Sequence, residues 1–221
     1  MTQKPGKKMT VDEKDYQLYL VTDESFQKEE DFLSIIEESL KGGVSMVQLR
    51  EKHLSSKDLY HRAEKLAALT STYNIPLIIN DRADIAMAVG AHGVHLGQED
   101  LPLPALRRMV KEELLIGVSV ATKEEALQAE AEGADYLGVG ALYPTETKAN
   151  TRKVSLEQLY QIQKAVKIPI VGIGGINENN VAEVMDQEIQ GVAVVSAITK
   201  AKNPMEAAKK LKQRMIQNTS I

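Results

Sequence analysis

Two cations stand two residues apart in Gln48-Leu49-Arg50-Glu51-Lys52, and a third, Lys148, lies in a separate polar segment. An Arg guanidinium offers a planar fork to oxyanions and a Lys ammonium a compact point charge, so together they would clamp a phosphorylated ligand. In extended chain alternate residues project to one side, which would align Gln48, Arg50 and Lys52. The competing explanation is a solvated surface run, because Glu51 intervenes. Asp81 and Asp100 are carboxylates of the kind that suit Mg²⁺, which takes one or two such groups plus phosphate oxygens and water. Taken singly, Asp81 reads better as a helix N-cap and Asp100 as a turn residue before Leu101-Pro102; the metal reading gains only with a cationic clamp beside them.

Gly172-Ile173-Gly174-Gly175, with helix-forming sequence expected from Asn177, has the character of a phosphate cradle. Glycines let main-chain N–H groups approach an anion, and a helix N-terminus adds a favourable dipole. A plain tight turn is the alternative. Val195-Ser196, ahead of the last helical stretch, would complete such a site. His92 and His95 are three apart on a strand and face opposite sides, which argues against a shared metal. His95 is expected inside the barrel and His92 at a helix end or on the surface. No Ser-His-Asp arrangement is supported.

The elements that must position these groups alternate regularly. Apolar β-type runs begin near Leu18, Ser45, Pro76, Gly93, Leu114, Asp135, Ile168 and Gly191. Amphipathic helical patterns lie between them, as in Leu33-Ile36-Leu40 and Leu59-Ala63-Leu66. Gly42-Gly43, Gly90 and Gly133 read as helix ends feeding buried strands. Eight such units predict an α/β fold, a single closed (β/α)8 TIM barrel over residues 16–221, with 1–15 a short, polar, flexible N-terminal extension. A doubly wound open sheet would want a glycine fingerprint after the first strand, which ends Leu20-Val21-Thr22-Asp23. In a barrel the chemistry sits at the C-terminal ends of the strands, where the polar residues fall.

Composition agrees. The chain has 221 residues and a net charge of −4, which excludes a strongly basic nucleic-acid binder. Without cysteine there is no disulfide, thiolate metal site or Cys nucleophile. No apolar run approaches the roughly 18 residues of a membrane span. Met1 to Lys14 lacks the apolar stretch of a secretory signal, so a cytoplasmic protein is expected. With 7 Tyr, 2 Phe and no Trp, the core is expected to be aliphatic.

Gln48-Leu49-Arg50-Glu51-Lys52, Asn80-Asp81, Gly93 to Pro102 (GVHLGQEDLP), Pro144 to Lys148 (PTETK), Gly172 to Ile176 (GIGGI) and Val195-Ser196 together resemble the thiamine-phosphate synthase family. The ordered set runs from about Tyr19 to Ala197. Ala141-Leu142-Tyr143 departs conservatively from the family's more usual Pro-Ile-Phe. The family joins 4-amino-2-methyl-5-hydroxymethylpyrimidine diphosphate to a thiazole phosphate, giving thiamine phosphate and pyrophosphate. The resemblance implies that the Gln48-Leu49-Arg50-Glu51-Lys52 segment, Asn80, Ser119 and Lys148 hold the pyrimidine diphosphate. It further implies that Asp81 and Asp100 ligate one Mg²⁺ per subunit, and that Thr145, Glu146, Thr147, Gly175, Val195 and Ser196 hold the thiazole phosphate. Arg50, Lys52 and Lys148 would be the catalytic cations, neutralising the departing pyrophosphate along a dissociative path through a pyrimidine cation. The expected partners are phosphorylated small molecules, with no nucleic acid and no membrane; a homo-oligomer is left open. Two alternatives are a thiazole tautomerase-like barrel and a non-catalytic thiazole-phosphate-binding protein.

Overall fold

The structure, a computed structural model, describes residues 11–24, 29–111, 114–145 and 152–216. Eight short strands form a closed parallel barrel in chain order. They are β1 Leu18–Val21, β2 Met46–Leu49, β3 Leu77–Asn80, β4 Gly93–Leu96, β5 Leu115–Val120, β6 Tyr136–Val139, β7 Ile170–Ile173 and β8 Gly191–Val194. Pairing of Tyr19 with Ala193 closes β1 onto β8. The connecting helices are α1 Glu29–Lys41, α2 Ser56–Thr72, α3 Ala83–Val89, α4 Leu103–Val110, α5 Lys123–Ala131 and α6 Leu156–Gln163. α7 Val181–Met185, α8 Ser196–Thr199 and α9 Pro204–Ile216 follow. The predicted (β/α)8 barrel is the observed fold, and every strand starts within two residues of its expected position.

Local chemistry explains the element ends. The Ser55 hydroxyl accepts from the Asp58 amide and the Thr122 hydroxyl from the Glu125 amide, while Ser155 and Gln158 form a reciprocal capping box. The expected glycine stops are present: Gly43, Gly90 and Gly133 take φ of 103°, 68° and 95°, the left-handed region that favours glycine. Glu13–Tyr16 form one 3₁₀ turn, and Tyr16, the first residue assigned to the barrel, is buried.

Strand alternation separates two cores. Leu18, Leu20, Val47, Leu49, Ile79, Val94, Ile116 and Val118 point outward into an aliphatic layer shared with the helices. Tyr16, Tyr19, Val21, Met46, Ile78, Tyr136, Val171 and Ala193 fill the barrel interior. The expectation of an aliphatic core therefore holds only for the outer layer. Three of the seven tyrosines occupy the inner one, where Tyr16 and Tyr136 lie 5.3 Å apart between ring centroids. Gly117 makes this possible, because a Cβ there would sit 2.1 Å from the Tyr136 ring.

Candidate active site

The inward series of each strand ends at the barrel mouth around a cavity of about 580 Å³. Arg50, Lys52, Asp100, Ser119, Thr145, Gly175, Val195 and Ser196 line it, so eight expected site residues converge there from six different strand ends. Val21, Gln98, Glu99 and Arg152 also line it. Glu146, Thr147 and Lys148 lie outside the described residues.

Beyond β2 the chain keeps its alternation. Arg50 and Lys52 reach the cavity, whereas Glu51 turns outward to Arg62 at 2.6 Å with its side chain only 3% exposed. Burial raises the Glu51 pKa against the opposing pull of Arg62. Leu49 packs in the outer aliphatic layer. The Leu49 and Glu51 side chains are therefore not brought to the cavity; of this segment, Arg50 and Lys52 are. The same period of two that brings Arg50 inward sends its neighbours out.

Lys52 hydrogen-bonds the Asp81 carboxylate, and its main-chain N–H donates to Glu24. Asp81 sits at φ 61°, its amide donating to the His95 carbonyl at 2.9 Å. It does not cap α3, whose N-cap is Arg82. Burial raises the Asp81 pKa, and hydrogen bonding with Asp100 raises it further, Lys52 only partly opposing both. Asp100 also accepts from the Gly97 amide at 2.7 Å, so its expected turn role and its place at the cavity coexist. Two adjoining carboxylates beside cations are a hard-oxygen donor set, and their mutual repulsion is what a divalent ion relieves. Among the described residues no group of three or more His, Cys, Asp or Glu side chains gathers to hold a metal.

Gln48 and Asn80 are the inward residues one layer below the mouth. Gln48 is buried, its Nε2 donating to the Tyr19 hydroxyl at 2.8 Å. Asn80 pairs in register with His95 and is half-buried. His95 points inward, as expected, to Tyr136 Oη at 3.0 Å and Ser119 Oγ at 2.9 Å. His92 is not a free surface residue. Its Nδ1 accepts from the Leu77 amide at 3.0 Å, and burial lowers its pKa.

The opposite wall is main chain. Gly174 and Gly175 take φ of 102° and 63°, and a Cβ on Gly175 would lie 2.5 Å from the Pro144 carbonyl oxygen. No helix starts at Asn177. Residues 177–180 form a turn, and α7 has five residues. The Asn177 and Asn180 amides both donate to the Gly175 carbonyl, at 3.2 and 3.1 Å. This fixes the loop by side-chain hydrogen bonds rather than by a long helix. Val195 is the N-cap of the short α8, which begins at Ser196.

Arg152 was not anticipated. It forks onto Glu125 at 2.6 and 2.8 Å and lowers the Glu125 pKa. The only sequence signal is a cation returning from the polar segment after β6; the 27-residue separation from Glu125 hides the pairing.

A closed (β/α)8 barrel with cations, paired carboxylates and a glycine loop at the C-terminal ends of its strands is an enzyme scaffold for phosphorylated ligands. The model of the thiamine monophosphate synthase family matches residues 18–198. A thiamine-phosphate synthase of Clostridium acetobutylicum is 53% identical over 195 residues, covering 88% of this chain and 92% of that one. One from Alkaliphilus oremlandii is 52% identical over 198 residues, covering 90% and 95%. The solved thiamine phosphate pyrophosphorylase of Pyrococcus furiosus superposes with a TM-score of 0.85 at 38% identity, covering 93% and 98%. The chain belongs to the thiamine monophosphate synthase family. Among the described residues no helix is long and apolar enough to cross a membrane.

Proposed function

We propose that this protein condenses 4-amino-2-methyl-5-hydroxymethylpyrimidine diphosphate with a thiazole phosphate, releasing pyrophosphate and forming thiamine phosphate. The observation that carries the reading is the convergence of Arg50, Lys52 and Asp100, with Asp81 bonded to Lys52 and Asp100, on one side of a cavity whose other side is glycine loop and Val195-Ser196. A barrel that only held one phosphate would have no use for the ionic side.

The bond between the exocyclic methylene and the diphosphate oxygen breaks, and its electron pair leaves with pyrophosphate. The pyrimidine amino group feeds electrons toward the methylene, and the thiazole nitrogen then forms the new C–N bond. Arg50 and Lys52, with Lys148, stabilise the charge that grows on the departing oxygens. Asp81 and Asp100 fit one Mg²⁺, which when bound supplies further neutralisation of the diphosphate. Gln48, Asn80 and Ser119 orient the pyrimidine diphosphate. Thr145, Gly175, Val195 and Ser196 orient the thiazole phosphate, with Glu146 and Thr147 assigned to the same ligand by the family resemblance. The reaction needs no dedicated general base; it needs nitrogen held facing methylene.

Incubation with both substrates, with and without Mg²⁺, tests the reading. Metal-dependent appearance of thiamine phosphate and pyrophosphate together is expected. Binding of the thiazole phosphate without either product would refute it.

A further inference from the structure

The barrel interior holds more hydrogen-bonding groups than packing requires, and they connect into one file. Gln48 Nε2 donates to Tyr19 Oη at 2.8 Å, and Tyr19 Oη lies 3.0 Å from Tyr136 Oη. Tyr136 Oη lies 3.0 Å from His95 Nδ1, and His95 Nε2 lies 2.9 Å from Ser119 Oγ. Gln48, Tyr19, Tyr136 and His95 are all buried, while Ser119 lines the cavity. Gly117 and Gly138 leave room for the Tyr136 and His95 rings: a Cβ on Gly138 would come within 3.1 Å of His95 Cε1.

Proton counting gives this file a direction. A phenol has one proton to donate. Because Gln48 already donates to Tyr19, the Tyr19 proton goes to Tyr136. The Tyr136 proton then goes to His95 Nδ1. An imidazole that accepts at Nδ1 carries its hydrogen on Nε2, and that hydrogen goes to Ser119 Oγ. The Ser119 proton is not consumed by the file and remains for the cavity. Reversing the order, or doubly protonating the imidazole, would leave either the Tyr19 proton facing the donating Gln48 amide or the Tyr136 proton without an acceptor in the file, an unmade buried hydrogen bond in both cases. Burial also pushes the Tyr19 and Tyr136 pKa values up, so neither phenol resolves the conflict by ionising.

We propose that Gln48, Tyr19 and Tyr136 hold His95 as its Nε2–H tautomer, and that this aims the Ser119 hydroxyl proton into the cavity, at an acceptor atom of the diphosphate substrate. Ser119 is the group that touches ligand; His95, Tyr136 and Tyr19 are positioning residues that transfer no proton. The identity of the substrate rests on the function proposed above, whereas the tautomer does not.

Long-range ¹H–¹⁵N correlation of the histidine side chains of the full chain, without ligand, reads the tautomer directly. The His95 resonances are identified by their loss in H95Q. The pattern of an unprotonated Nδ1 and a protonated Nε2 is expected; an Nδ1–H or doubly protonated ring overturns the proposal. A double-mutant cycle supplies the kinetic arm. Y136F, which keeps the ring, lowers kcat/KM for the pyrimidine diphosphate about tenfold in the native background, the scale of one lost active-site hydrogen bond. It has no further effect in S119A. An equal loss in both backgrounds shows general disruption and overturns the proposal. H95Q, whose amide nitrogen reaches the Nε2 position, retains more activity than H95N; the opposite order also counts against it. Should the native chain make no thiamine phosphate, the functional reading fails while the tautomer measurement still decides this one.

Discussion

On the β2–β4 side of the cavity the chain presents Arg50, Lys52 and Asp100, with Asp81 bonded to Lys52. On the β7–β8 side it presents Gly174, Gly175, Ile176, Val195 and Ser196, with no ionisable side chain among the described residues of that wall. The difference follows what each ligand does in the proposed reaction. The thiazole phosphate keeps its charge throughout, so main-chain donors and a hydroxyl suffice to hold it. The diphosphate becomes a leaving group whose charge grows along the reaction. Groups whose interaction strengthens with that growth accelerate the chemical step, whereas equal binding of ground and transition states does not.

Removing the ionic side should give the largest effects. Arg50→Ala or Lys52→Ala is expected to lower kcat by roughly 10²–10³-fold, on the scale of losing one preorganised electrostatic stabiliser. Circular dichroism should show the barrel intact, and steady-state assays read the loss. Near-normal turnover would remove the clamp from the account. On the uncharged side, Gly175→Ala must strain a residue at φ 63° and push its Cβ onto the Pro144 carbonyl. It is expected to raise KM for the thiazole phosphate and to cost roughly 1–3 kcal/mol of stability, measurable by denaturant unfolding.

Asp81→Asn sharpens the comparison, because Asn tolerates the left-handed backbone at this position. A carboxyl whose pKa is raised on folding binds more protons in the native state, so stability falls as pH rises through the interval between its unfolded and folded values. Above its folded value and without metal, the native protein carries that penalty in full. Asp81→Asn therefore melts higher under these conditions, by about 2–4 °C for each kcal/mol recovered. Thermal melts with and without Mg²⁺ should show the ion stabilising the native protein and leaving the variant unchanged.

Arg152→Ala is expected to have the smallest effect on stability. The Arg152–Glu125 pair is partly exposed, which limits it to about 0–1 kcal/mol. Since Arg152 lowers the Glu125 pKa, its contribution is present above the unfolded carboxylate value and fades as pH falls through the folded one. Melting temperatures of native and variant protein should thus converge in acid, and a gap that widened there would contradict the assignment.

Much of the ionic side was legible in the sequence because Arg50 and Lys52 share strand parity, which needs only a period of two. That parity also implies that Leu49 and Glu51 face away, although the family resemblance placed them in the site. The glycine loop was legible in composition but not in its support, since the Asn177 and Asn180 contacts to Gly175 replace the anticipated helix. Arg152 depends on a pairing across 27 residues, and the tyrosine-filled interior depends on the space left by Gly117; neither leaves a local pattern. The barrel itself was readable because eight strand-and-helix units repeat it.

The most direct test of the contrast between the two sides is a paired determination of kcat and KM for both substrates in Arg50→Ala and Ser196→Ala. Arg50→Ala is expected to lose kcat by orders of magnitude, while Ser196→Ala keeps kcat within a few-fold and raises KM for the thiazole phosphate about tenfold. Equal losses of kcat in the two variants would contradict that contrast.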